Sequence, residues 1–201
     1  MELVDGYAHL RHRYHEWRYS LDFVQKVMLA LGFACLLGLL AQVRIPLGFS
    51  PVPLTGQTFG VLLAGVALGT YWGGASMLMY VGIGVMGMPW FQGMNGGVEY
   101  ATGATAGYLV AFIIIAFIVG WMTEKKLEAR KVKYLLPLMV ASSISILLFG
   151  TAWLAVAVNA SIGDALAMGF LPFIGLDICK SIAAAGIGSA MTTKKAYGPE
   201  R

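Results

Sequence analysis

Apolar residues run through this chain in long blocks, separated by short polar or glycine- and proline-rich stretches. Six blocks read as membrane-spanning helices, at residues 27–43, 54–69, 75–87, 104–123, 134–158 and 168–191. A crossing helix needs about 20 mostly apolar residues. The first block is near the lower limit, and the second and third are short and broken by glycine. Ahead of them, Leu3, Tyr7, Leu10, Tyr14, Trp17, Leu21 and Val24 recur at alternating intervals of four and three. That spacing predicts one apolar helical stripe, with Arg11, Arg13, Glu16 and Arg18 off it. Such a helix lies in the membrane interface; docking onto a partner protein is the other reading. The expected fold class is an all-α membrane protein. It has six transmembrane helices in one bundle and an N-terminal interfacial amphipathic helix. The expected parts are an arm at 1–26, a six-helix solute-binding domain at 27–193 and a cytoplasmic tail at 194–201.

Composition agrees. Of 201 residues, 58% are hydrophobic and only 12% charged, against roughly 25% charged in soluble domains. The 26 glycines suit close approach of membrane helices. Cys35 and Cys179 both fall inside apolar blocks, so they read as small buried groups rather than a disulfide. No signal-peptide pattern precedes the first block. The histidines at 9, 12 and 15 have no nearby acidic or cysteine ligand, so no metal or other cofactor is expected.

Proline and glycine mark the loops. Arg44-Ile45-Pro46-Leu47-Gly48-Phe49-Ser50-Pro51-Val52-Pro53 predicts an ordered, extended loop. It leads to Gln57, which needs a hydrogen-bond partner near a membrane-helix start. Tyr71-Trp72-Gly73-Gly74 reads as a tight turn with interfacial aromatics. Residues 88–103 mix glycine with Trp90, Phe91, Asn95 and Tyr100, a composition suited to a lid over a cavity. Residues 124–133 form a basic loop, and 159–165 a short polar turn.

One block breaks the pattern: the last carries Asp177 and Lys180 three residues apart. A charge near a bilayer centre costs about 3 kcal/mol on insertion scales and usually marks function. Positions i and i+3 share a helix face, so the two side chains look into one space. They either neutralise each other or face a polar ligand.

The remaining charges give the topology. Twelve of the 14 Lys and Arg fall in the arm, the 124–133 loop and the tail. The positive-inside rule puts these in the cytoplasm, with both termini. The loops at 44–53, 88–103 and 159–165 are then outside. Asp177 lies about nine residues into its helix, roughly 13 Å down, beneath Arg44 at the rim. The pattern describes an outward pocket of a multi-pass plasma-membrane protein. No basic stripe suggests nucleic acid.

Ser50-Pro51-Val52-Pro53-Leu54-Thr55-Gly56-Gln57-Thr58-Phe59 closely resembles the corresponding stretch of the BioY family. So do Tyr80-Val81-Gly82-Ile83-Gly84-Val85-Met86-Gly87-Met88-Pro89-Trp90-Phe91 and residues 102–109 with Gly107-Tyr108. These are the biotin-capture S components of prokaryotic energy-coupling-factor (ECF) transporters. The resemblance covers roughly residues 27–191. It implies six membrane helices, high-affinity biotin capture from outside, and partnership with a transmembrane coupling protein and a pair of ATPases. It implies that Ala30 and Ala34 touch the coupling protein as a small-xxx-small element, and that Asp177 and Lys180 lie in the biotin pocket. The arm before residue 27 is outside the family pattern.

Biotin's chemistry suits the residues present. Its ureido group and carboxylate need an acceptor, amides and a cation; its thioether ring needs aromatic walls. Asp177, Gln57 and Asn95, the rings of Tyr80, Trp90, Phe91 and Tyr108, and the cations Lys180 and Arg44 supply these. Asp177 is expected to accept from the ureido group, with Lys180 closing the network. The ligand's carboxylate falls to Lys180 or Arg44. No Gly-Lys-Ser/Thr nucleotide loop, no histidine within a span, no G-x-S-x-G and no His-Glu-x-x-His occurs. The chain is therefore expected to be no enzyme. A stand-alone facilitator of biotin or another small vitamin is the alternative.

Overall fold

The computed structural model describes residues 13, 14 and 16–192. The expectations placed on residues 1–12, on the histidine series and on the 194–201 tail lie outside the described residues.

Helix α1, Phe23–Gln42, starts earlier than the apolar block because Asp22 caps it. The Asp22 carboxylate accepts from Gln25 N at 2.7 Å, and Gln25 Oε1 accepts from Asp22 N at 3.0 Å, a reciprocal capping box. This cap interrupts the expected continuous stripe: residues 16–20 are helical, whereas Leu21 and Asp22 are not. Two-residue strands follow, β1 Arg44–Ile45 and β2 Leu54–Thr55, paired antiparallel with Arg44 opposite Thr55. The proline stretch is thus the loop of a hairpin. Ser50 Oγ ties it to Met168 O at 2.8 Å.

The remaining helices are α2 Gln57–Leu68, α3 Thr70–Val85, α4 Gly97–Ala101, α5 Ala106–Lys125, α6 Val132–Ala157, α7 Ile162–Gly169 and α8 Leu171–Met191. A 3-10 turn at Leu127–Arg130 joins α5 to α6. Among the described residues four helices, α1, α5, α6 and α8, are long and apolar enough to cross a membrane; α2 and α3 have 12 and 16 residues. At the centre α5 packs on α2, α3 and α6, while α8 packs on α2 and α6.

Three expectations are corrected. The turn expected at residues 71–74 lies inside α3; the chain bends instead at Gly69, whose φ of +79° disfavours any side chain. The polar turn at 159–165 contains the start of α7, capped by Ser161. Because Phe170 separates α7 from α8, Asp177 lies six residues beyond Leu171, about 9 Å along the axis rather than 13. Ala30 and Ala34 are both 0% exposed, and their small side chains bring α1 against its own bundle. Met28, Leu31, Leu36 and Leu39 are what α1 exposes.

The described part of the arm also differs. Arg18, off the predicted stripe, is 8% exposed, and Trp17, on it, is exposed. Arg18 donates to Ala67 O at 3.2 Å and to Glu124 at 3.1 Å. Glu124 in turn accepts from Thr70 N at 3.0 Å and from the Thr70 hydroxyl. Carbonyls at the end of α2 and amides at the start of α3 have no intrahelical partners, and this cluster supplies some.

Candidate functional site

Beneath the hairpin and the 88–96 loop, α2, α3, α5, α6 and α8 enclose a cavity of about 50 Å³. Asp177 and Lys180 form one wall. Asp177, 2% exposed, receives Lys180 Nζ at 2.7 Å and Thr58 Oγ1 at 3.0 Å, both on Oδ1. Lys180 Nζ also reaches Thr58 Oγ1 at 3.2 Å. An ammonium has three N–H donors, so one remains. Among the described residues Asp177 Oδ2 is buried without a hydrogen-bond partner, and Thr105 is another wall residue. An unmatched buried acceptor costs about 1–3 kcal/mol, more when charged. That cost is recovered when a donor enters the cavity.

Behind the pair, Ser181 fixes α8. Its hydroxyl donates to Asp177 O at 2.8 Å and stands 2.9 Å from Ser143 Oγ on α6. Across the cavity, Gln57 Nε2 donates to the Tyr80 hydroxyl at 3.0 Å, the partner its position demanded. Gln57 Oε1 accepts from Thr55 Oγ1 at 3.1 Å. Tyr80 meets Phe91 edge-on at 5.3 Å, and Phe91 stacks on Tyr100 at 5.1 Å. Phe91 fits because Gly84 has no side chain; a Cβ there would come within 2.1 Å of its ring. Tyr108 donates to Gly169 O at 2.8 Å. Its ring rests on Gly150, where a Cβ would meet it at 2.1 Å. Burial pushes the Tyr100 phenol above its ordinary value, against the hydrogen bonds of Thr105 and Gln92, which lower it.

Six of the predicted residues, Asp177, Lys180, Gln57, Tyr80, Phe91 and Tyr108, line this cavity. Trp90, Asn95 and Arg44 are not part of its lining. Trp90 packs behind Tyr80 and donates to Tyr80 O at 2.9 Å. Asn95 shapes the lid: its carbonyl accepts from Phe91 N at 2.9 Å, and its amide donates to Gln92 O at 2.7 Å. Asn95 lines an adjoining cleft of about 420 Å³ that shares Gln92, Tyr100 and Thr105 with the cavity. Arg44 is exposed and donates to Gln92 Oε1 at 3.2 Å, which places it beside that cleft.

Several residues escaped the sequence reading. Thr58 bridges the charged pair from within a stretch already singled out. Phe173 precedes Asp177 by four on α8, so helical spacing could have found it. Gln42 holds the lid from the end of α1, donating to Trp90 O and Phe91 O at 3.2 and 3.0 Å and accepting from Met94 N at 3.1 Å. Thr105 lies where no periodicity marks an inward face.

The model of the BioY family matches residues 11–197. A protein of Methanothermobacter thermautotrophicus described as a probable biotin transporter BioY is 41% identical over 145 residues, covering 69% of this chain and 92% of that protein. One of Pyrococcus horikoshii with the same description is 41% identical over 160 residues, covering 80% and 91%. Among solved structures, the S-component for biotin from an ECF-type ABC transporter superposes with a TM-score of 0.77 at 26% identity, covering 85% of this chain and 93% of that one. The family match takes in residues 11–26, which the resemblance had left outside its pattern. On that breadth of agreement, this chain belongs to the BioY family, a family of transporter components and not of enzymes.

Proposed function

We propose that this chain is the biotin-capturing S component of an ECF-type, ATP-driven importer. The observation that carries this reading is the buried, unpartnered Asp177 Oδ2 beside Lys180 in a cavity walled by tyrosine and phenylalanine rings. A ureido N–H is a neutral donor of the kind that oxygen lacks. Lys180 and the Thr105 hydroxyl complete the polar end, and Tyr80, Phe91 and Tyr108 take the thioether ring. With the ureido group at Asp177, biotin's carboxylate stands at the far end of the molecule. Arg44, with Gln92 and Asn95 at the outer cleft, is then its partner.

Small-molecule sites usually measure about 300–1,000 Å³, far more than the 50 Å³ cavity offers. Parting the walls at Gln92, Tyr100 and Thr105 joins it to the 420 Å³ cleft, which gives a site of ordinary size. In this reading α2 and α3 complete a six-helix domain at 27–193, preceded by the 1–26 arm and followed by the 194–201 tail. Both termini are cytoplasmic in the plasma membrane of a prokaryote, following the basic loops. With no nucleotide motif of its own, the chain depends on a coupling protein and two ATPases.

Calorimetric titration of the purified protein tests the proposal. Biotin should bind below micromolar and outcompete desthiobiotin, and Asp177→Asn should weaken it more than tenfold. Folded protein that fails to bind biotin at micromolar concentration rules the proposal out. Uptake that persists without the coupling protein and ATPases would favour a stand-alone facilitator.

A further inference from the structure

At the end of the bundle opposite the candidate site, a second cavity of about 470 Å³ opens among the N-termini of α1 and α3 and the C-terminus of α5. Its charged wall holds Arg18, Glu124, Lys26 and Lys125. Arg18 and Glu124 are paired with each other at 3.1 Å. Lys26 and Lys125 have no ion-pair partner among the described residues. Lys125 lies over the Trp121 ring at 5.5 Å, and Tyr71 and Trp72 share the wall. Cations beside tryptophan and tyrosine at helix ends are the composition of a headgroup layer.

Tyr71 also lines the head of a second space, an apolar groove of about 750 Å³ between α3 and α5. The groove runs from Tyr71 past Leu78 and Gly82 to Met86, facing Phe117 and Ile113 across it. From Tyr71 to Met86 is about 22 Å along a helix, longer than the roughly 15 Å half-thickness of a bilayer core. A cationic chamber that meets, at Tyr71, an apolar groove of acyl-chain length matches an anionic amphiphile. A protein helix seated there would need a carboxylate for each lysine.

We propose that the chamber and groove form a binding site for one anionic phospholipid. Lys26 and Lys125 hold its phosphate, and one acyl chain lies along the α3–α5 groove. The proposal needs the membrane setting but not the assignment of biotin.

Native mass spectrometry tests it on the full chain, released from micelles of equal phosphatidylglycerol and phosphatidylcholine. The protein should retain phosphatidylglycerol several-fold over phosphatidylcholine. Lys26→Gln with Lys125→Gln should bring that ratio to near one. Gly82→Trp fills the groove where a Cβ meets nothing within 4 Å; it should cut retention of both lipids several-fold while leaving biotin affinity unchanged. Equal lipid ratios in the parent and the double variant overturn the proposal. So does displacement of phosphatidylglycerol by soluble glycerol phosphate, which would make the site a headgroup site alone. If Gly82→Trp blocks assembly with the coupling protein but leaves lipid retention intact, the groove belongs to a protein partner and the proposal fails.

Discussion

Lys180 Nζ sits 2.7 Å from Asp177 Oδ1, one turn along α8, and leaves Asp177 Oδ2 buried with no partner. A pair serving only to neutralise itself in an apolar helix would gain from satisfying both carboxylate oxygens. Here Thr58 and Lys180 both crowd onto one oxygen, and Asp177 lines the cavity with its second oxygen unmatched among the described residues.

Stability and binding separate by mutation. Lys180→Ala leaves a buried carboxylate without its counter-charge, which should lower stability by about 3–5 kcal/mol and biotin affinity more than tenfold. Replacing both, with Asp177→Asn and Lys180→Met, removes the unpaired charge, so stability should recover above that of Lys180→Ala while binding stays absent. Thermal melting in detergent and calorimetry read the two quantities. Affinity that survives Lys180→Ala would make the pair purely structural.

Thr58 has a narrower part. Its hydroxyl joins Asp177 Oδ1 and Lys180 Nζ at 3.0 and 3.2 Å, and it is buried at 8% exposure. Thr58→Val keeps the shape and removes the bridge, a loss of about 1–3 kcal/mol for a hydrogen bond to charged groups. Biotin affinity should fall by roughly tenfold, with the melting temperature moving less than for Lys180→Ala. An unchanged affinity would show that the pair holds its geometry unaided.

Charge was legible in the sequence where it was rare. Asp177 and Lys180 stand out in α8 because they are its only charged residues, and the prolines between Arg44 and Pro53 announce a loop by removing donors. Burial in the apolar helices was not legible. A membrane helix presents apolar residues to lipid and to its own bundle alike, so nothing in the pattern separates buried Ala30, Ala34 and Leu37 from exposed Met28, Leu31 and Leu39. Tyr71 and Trp72 read as a turn by composition, yet the bend fell at Gly69, where Arg18 and Glu124 supply distant partners. Gln42 was overlooked for the same reason: its partners, Trp90, Phe91 and Met94, are about fifty residues away.

Gln42 ties the 90–94 segment to the end of α1. Its oxygen accepts from Met94 N, and its two N–H donors are shared among Trp90 O, Phe91 O and Gly38 O, each bond worth up to about 1 kcal/mol net. Gln42→Leu should keep α1 intact and free that segment, exposing Phe91 and Tyr100. Biotin should then dissociate faster, with association little slowed. Stopped-flow release into excess unlabelled biotin measures this, and an unaltered off-rate would show that the hairpin and the Phe91–Asn95 bridge hold the lid alone.

Ala34 turns the resemblance to a coupling-protein contact into a packing question. At 0% exposure it has no free surface, and α1 packs there against α2 and α3. Ala34→Leu adds three carbons to a filled interface, where overpacking costs about 1–3 kcal/mol. The displaced helix also carries Gln42 and Gly38, the latter against Trp90. Melting temperature and biotin affinity should therefore fall together, before any partner is added. Ala34→Gly, which loosens the same contact without clash, should lower stability mildly and leave binding near the parent value. If Ala34→Leu instead melts and binds like the parent but fails to assemble with the coupling protein, α1 must turn this face outward in the complex.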